Sequence, residues 1–222
     1  TAVGHNCLAK NTTGTANTGV GRGVLVENTT ASNNTGVGYF ALVNNTTGTA
    51  NVAVGTNALD ANTTANDNTA VGVSSLGANT SGASNTGIGR SALKENTSGT
   101  LNVAVGANCL DDNTTGSSNI GMGQATLGSN STGSNNTAVG HAALFGNTTA
   151  SDNSAFGYNA LLSNTTGHSN VAVGKEALYT STTDEGCTSI GFRASYYSVG
   201  GDNIAIGRNS LRGSGSGSAG TG

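Results

Sequence analysis

A glycine recurs every 17 residues along almost the whole chain, at Gly4, Gly21, Gly38, Gly55, Gly72, Gly89, Gly106, Gly123, Gly140, Gly157, Gly174 and Gly191. No insertion or deletion interrupts the series, and one further copy follows a residue early at Gly207. A unit this short cannot bury a hydrophobic face alone and must stack on its neighbours. The period therefore decides the architecture before any single residue is considered.

The unit reads N-T-A-V-G-x-x-A-L-x-x-N-T-T-G-x-x. The residue before each glycine is apolar throughout, from Val3 and Val20 to Met122, Phe156 and Ile206. A leucine stands four residues after the glycine from Leu8 to Leu178. One asparagine lies seven after it, from Asn11 to Asn164, and another four before it, from Asn17 to Asn170 and again at Asn203. Helical repeats need about 30 residues or more to hold two helices and their turns. Gly, Asn and Thr are also poor helix formers. In Val52-Ala53-Val54 and Val103-Ala104-Val105 the outer residues share one face and the small middle residue takes the other, as in a strand.

These features predict an all-β, parallel β-solenoid (β-roll) of about 13 coils, with 17 residues per coil. One strand is expected through N-T-A-V-G, a second around x-A-L, and a turn at N-T-T-G. Coils spaced by ~4.8 Å form an elongated rod. Val and Leu columns are expected to fill a narrow interior. The Ala/Gly column at Gly19, Gly36, Ala53, Ala70, Gly87, Ala104 and Gly121 is expected to let neighbouring chains or coils approach closely. Stacked asparagines can bond amide to amide.

Composition narrows the function. Only 9% of residues are charged and 34% are hydrophobic, with no proline or tryptophan and a net charge of −3. No basic patch suits nucleic acid, and no apolar run approaches the ~20 residues that span a bilayer. The solenoid is placed at residues 1–212. The Gly/Ser-rich stretch 213–222 reads as a flexible linker or tail. The chain starts in mid-repeat without methionine, which suggests a processed product or a segment of a longer protein.

Little in the sequence suggests chemistry. Cys7 and Cys109 share a phase six units apart, too far for a disulfide, and other units carry Ala41, Ala58, Ser75, Ala92 or Ala143 in that phase. Small buried filler is the simplest role, with a cross-chain disulfide as the sharper alternative. Cys187 occupies an asparagine phase and reads as free. His5, His141 and His168 form no ligand cluster, and the acidic residues lack the G-G-x-G-x-D spacing of calcium-binding solenoids. G-V-G-R-G at residues 19–23 is only the repeat. We therefore expect no enzyme activity, no catalytic, cofactor-binding or metal residues, and no cofactor.

Asn11, Asn28, Asn45, Asn62, Asn79, Asn96, Asn113, Asn130, Asn147 and Asn164 all begin N-x-S/T sequons. They are either a buried amide ladder with turn chemistry or glycosylation sites. The threonine column that includes Thr18, Thr35 and Thr69 invites comparison with ice-binding solenoids. It is interrupted by Val52, Val103 and Ile120 and shares a face with the valines placed inward. The variable phases hold Tyr39, Phe40, Phe145, Tyr158 and Tyr179, candidate surface contacts for a receptor or carbohydrate.

The strand N-T-A-V-G, with its variants at residues 170–174 and 203–207, resembles the head repeat of trimeric autotransporter adhesins. The longer unit at residues 136–149 looks still more like repeats of phage-type tail-fibre proteins. The resemblance implies a β-roll with three chains packed side by side. The expected function is a structural or adhesive fibre segment, extracellular, on a cell surface or on a virion. Its expected partner is itself, as a parallel homotrimer or an end-to-end filament, with glycans or a receptor as further partners. No nucleic acid and no membrane insertion by this segment are expected. The adhesin repeat is shorter than 17 residues, so the coil shape is not carried over.

Overall fold

Each repeat contributes one short strand, and the strands pair in parallel with their counterparts one repeat away. The computed structural model describes residues 1–197 and 200–213, so the expected tail falls outside the described residues from 214 onward. It is all β, with thirteen strands and no helix among the described residues.

The chain divides into two compact units, Thr1–Thr115 and Gly116–Gly222. The first holds β1 (Ala2–Val3), β2 (Thr18–Arg22), β3 (Thr35–Tyr39), β4 (Val52–Val54), β5 (Thr69–Val71), β6 (Thr86–Ile88) and β7 (Val103–Val105), paired in that order. The second holds β8 (Ile120–Met122), β9 (Thr137–Val139), β10 (Ser154–Phe156), β11 (Val171–Val173), β12 (Thr188–Ile190) and β13 (Ile204–Ile206), again in order. Partners sit one period apart, Val52 against Thr69 and Ala53 against Ala70 in the first unit, Ser154 against Val171 in the second. Both units are thus parallel β-solenoids, and like residues lie over like.

The strand alternation appears as expected, but its two faces are exchanged. The small middle residue points inward: Ala53, Ala70, Ala104, Ala138, Ala155 and Ala172 are fully buried. The Val-phase residue points outward, with Val20, Val54, Ile88, Met122 and Phe156 each about 40% exposed. The expected inward valine column is therefore an outward one. The Ala/Gly column does not mediate contact between chains; it lines the inside of the coil. The physical reason is space. Leucine and two asparagines already fill each coil, which leaves room for little more than a methyl group from the strand.

That fit bears on where the strands carry glycine, although Ala138 accommodates Thr126 in the facing phase. A Cβ built on Gly36 lies 2.5 Å from Val24 Cγ1, and one on Gly87 lies 2.6 Å from Ser75 Oγ. One on Gly19 would strike Cys7 Sγ. Where the facing phase holds Ala41 or Ala58, the strand carries Ala53 or Ala70. Gly36→Ala is expected to destabilise the first unit by about 2 kcal/mol through overpacking. Val24→Ala in the same chain should recover most of that loss, as urea denaturation followed by circular dichroism would reveal.

The second strand expected around x-A-L does not form. That segment is a turn, and the leucine backbone is left-handed, with φ of 53° at Leu25, 52° at Leu42 and 51° at Leu59. The position two residues earlier is left-handed as well, as at Asn57 (54°) and Ser74 (54°). Such a backbone costs about 1–3 kcal/mol per residue and persists only when its surroundings enforce it. Here the enforcement is burial. Leu25 through Leu178 are fully buried, worth about 1.5–3 kcal/mol each. Within each unit leucine amides also pair with the next coil, as from Leu25 N to Ala41 O at 3.1 Å and from Leu42 N to Ala58 O at 3.0 Å.

The two asparagine columns complete the interior. Asn62 Nδ2 donates to Asn45 Oδ1 in the coil before it (2.8 Å) and to Ala65 O in its own coil (3.1 Å). In the other column the Asn51 amide N donates to Asn34 Oδ1 (2.9 Å), and Asn51 Nδ2 donates to the same Ala65 O (2.8 Å). Both columns thus converge on one carbonyl per coil. On the outside of the N-T-T turn, Thr46 donates to Thr63 O from its amide and from its hydroxyl, both at 2.9 Å. The turn is therefore hydrogen-bonded coil to coil although no strand is assigned there.

Candidate assembly surface

Because the strands are short and alternate strictly, the outward side of each unit is a set of parallel columns. The central pair comes from the residues three before and one before the glycine. In the first unit these are Thr18 and Val20, Thr35 and Val37, Val52 and Val54, Thr69 and Val71, Thr86 and Ile88, Val103 and Val105. In the second they run from Ile120 and Met122 through Ser154 and Phe156 to Ile204 and Ile206. The column next to the glycine contains no polar residue, and every described member is half-buried or exposed. An aligned row of aliphatic side chains facing water is uncommon on a protein that stays single.

The threonine column does share a face with the valines, but that face looks outward. One ground for setting ice binding aside is thereby removed. The other ground stands: Val52, Val103 and Ile120 break the threonine series.

The sequon asparagines are placed inside. Asn28 to Asn164 are fully buried and Asn11 is half-buried. Their Nδ2, the atom an N-linked sugar would occupy, faces the core. At Asn147, for instance, it donates to Asn130 Oδ1 (2.7 Å) and to Ala150 O (2.9 Å). The ladder stops at Asn164, because Ser181 takes the asparagine phase in the next coil. Asn164 Oδ1 and Ser181 Oγ are both buried without a hydrogen-bond partner.

The candidate aromatics lie on the surface, yet their ring faces are largely used within the chain. Tyr158 stacks on His141 at 5.3 Å, and Lys175 covers it at 5.4 Å. Tyr179 stacks on Tyr196 at 5.0 Å, with the ring planes nearly parallel at 5°. Tyr39 meets Phe40 at 4.2 Å and lies under Arg22 at 5.7 Å. Phe40 lies against Gly23 and Phe145 against Gly128, filling the space of the absent side chains. Sequence reasoning missed the most clustered of these groups. Arg193 lies over Phe192 and over Tyr196, each at 5.1 Å, and its Nε donates to Glu176 Oε2. Its signal was present in the irregular stretch around Tyr196 and Tyr197.

A notch of about 240 Å³ opens over Gly77 and Ala78, lined by Asn57, Asp60, Ser74, Lys94 and Glu95. Burial raises the Asp60 carboxyl above its ordinary range, and does the same at Asp111. Cys7, Cys109 and Cys187 are free. Cys109 is fully buried, and that burial pushes its thiol up to about 12. In the folded coil the Cys109 side chain therefore has no exposed surface to offer a second chain. Among the described residues no group of three or more His, Cys, Asp or Glu could hold a metal, and no helix is long and apolar enough to cross a membrane.

No protein-family model matches the chain, and comparison with curated proteins and with solved structures likewise returns no match.

Proposed function

We propose that this chain is a structural repeat segment of an extracellular fibre, of the surface-adhesin or tail-fibre kind, assembled as a homotrimer through its outward strand faces. The observation that carries the proposal is the unbroken apolar column beside the glycines, which faces water in the single chain. Burying such a column between copies gains roughly 25 cal/mol for each Å² removed from water. The repeat's resemblance to adhesin heads and tail-fibre segments supports the trimeric count and the extracellular setting. The aromatic reading, a carbohydrate-binding fibre, gains less support, since the stacked rings offer edges rather than open faces.

Sedimentation equilibrium tests the proposal. The wild-type chain is expected at three times its 21.5 kDa mass. Lysine at Val54 and Val71, two half-exposed outward positions, should yield monomers that keep a β-type circular dichroism spectrum. A wild-type monomer at micromolar concentration would overturn the proposal. So would a lysine variant that stays trimeric.

A further inference from the structure

The outward face has two flanks, and their charges are segregated. One flank, the residue five before each glycine, leads into the strand. It carries Asp67, Asp152 and Asp202 and no Lys, Arg or His. The other, the residue just after each glycine, leaves the strand. It carries Arg22, Arg90, Lys175 and Arg208, with His5 and His141, and no Asp or Glu. All of these side chains are exposed. The leading flank has a left-handed backbone, with φ of 59° at Asp67 and 62° at Asp152. That conformation suits Asp, but it suits uncharged Asn equally, and it gives no reason for bases at the far end of the strand.

We infer that the basic flank of one copy lies against the acidic flank of the next, forming an electrostatic seam beside the apolar columns. This rests on the self-assembly proposed above and adds what sets its direction. Copies related by rotation about the stacking direction run parallel, and each then meets its neighbour with unlike flanks. Antiparallel copies would bring like flanks together. A heterologous contact of this kind uses both flanks of every copy and closes into a ring.

Within one chain the two flanks cannot pair, because about 20 Å of extended backbone separates them. Among the described residues Asp67, Arg22 and Arg90 take part in no ion pair. Arg90 lies one coil beyond Asp67, and Lys175 one coil beyond Asp152. That single step of ~4.8 Å is within reach of a long basic side chain. Asp202 and Arg208 share a coil, and rotation holds the copies at zero axial offset, so the Asp67–Arg90 and Asp152–Lys175 contacts each span one step. Charges at the rim of an apolar interface act chiefly on partner choice, association rate and salt dependence.

The test compares wild type, Asp67→Lys, Arg90→Glu and the charge-swapped double variant by sedimentation velocity, in about 50 mM and about 1 M salt, where screening lengths differ several-fold. Each single reversal should weaken self-association about tenfold at low salt and much less at high salt. The double variant should regain wild-type association, and all four chains should give the same circular dichroism spectrum. Single reversals that associate like wild type at low salt overturn the seam and leave the apolar assembly standing. So does a double variant that fails to recover. A wild-type chain that remains monomeric at every concentration overturns the assembly itself, and the seam with it.

Discussion

Gly55→Ala is expected to destabilise the first unit by about 4 kcal/mol, one of the two largest single-residue effects in this chain. Two penalties add at that site. The backbone stands at φ 140°, well outside the regions open to a residue with a side chain, which costs about 1–3 kcal/mol. A Cβ there would also lie 2.5 Å from Gly72 O and 2.7 Å from Gly72 C, both backbone atoms that cannot rotate away. Relief would require separating two coils, and Gly55 N donates to Val37 O at 2.8 Å within the same stack. Gly77→Ala supplies the control. Its φ is ordinary, and its Cβ would meet nothing closer than Ser74 O at 3.4 Å. That variant should stay within about 0.5 kcal/mol of wild type. Thermal melting should separate the pair by roughly 10 °C, given a shift of about 2–4 °C per kcal/mol for a chain of this size. Equal melting of the two variants would contradict the packing described for the glycine column.

The sequence made the solenoid legible because a strict period stacks like on like, whatever the shape of each coil. It did not reveal which strand face is the inner one. Alternation assigns residues to two faces without saying which is buried, and an apolar column reads equally well as core or as interface. The deciding signal lay in a correlation between phases. Gly36 accompanies Val24 and Gly87 accompanies Ser75, while Ala53 accompanies Ala41, as shared interior volume favours; Ala138 beside Thr126 departs from it. The turn at the leucine was hidden for a different reason. Leucine has no local preference for a left-handed backbone, so only the buried column and the pairing of Leu42 N with Ala58 O hold it there. The aromatics were legible as surface residues, but their engagement with one another depends on which coils become neighbours in the second unit. The charge segregation of the flanks was present in the sequence too. It acquires meaning only once the strand between those flanks is known to face outward.

Asn62→Ala is the other large effect, expected at about 3 kcal/mol. The lost side chain is fully buried and sits in the middle of a ladder. Its Nδ2 serves Asn45 Oδ1 and Ala65 O, and its Oδ1 accepts from Asn79 Nδ2 at 3.2 Å. Truncation therefore strips Asn45 Oδ1 of its ladder donor, while Ala65 O and Asn79 Nδ2 each keep one other bond. A buried group left unsatisfied costs about 1–3 kcal/mol, and the cavity left by the amide adds to that. Asn62→Asp separates polarity from shape: it keeps the volume but replaces the donor with a buried charge, and it should be at least as damaging. The ladder's natural end supplies the reverse arm. Ser181→Asn offers Asn164 Oδ1 the donor that it lacks and should stabilise the second unit by about 1 kcal/mol. Denaturant titrations of the three variants decide the matter. If Asn62→Ala melts with wild type, the amides are merely tolerated in the interior, and the cohesion between coils resides in the leucines and the backbone alone.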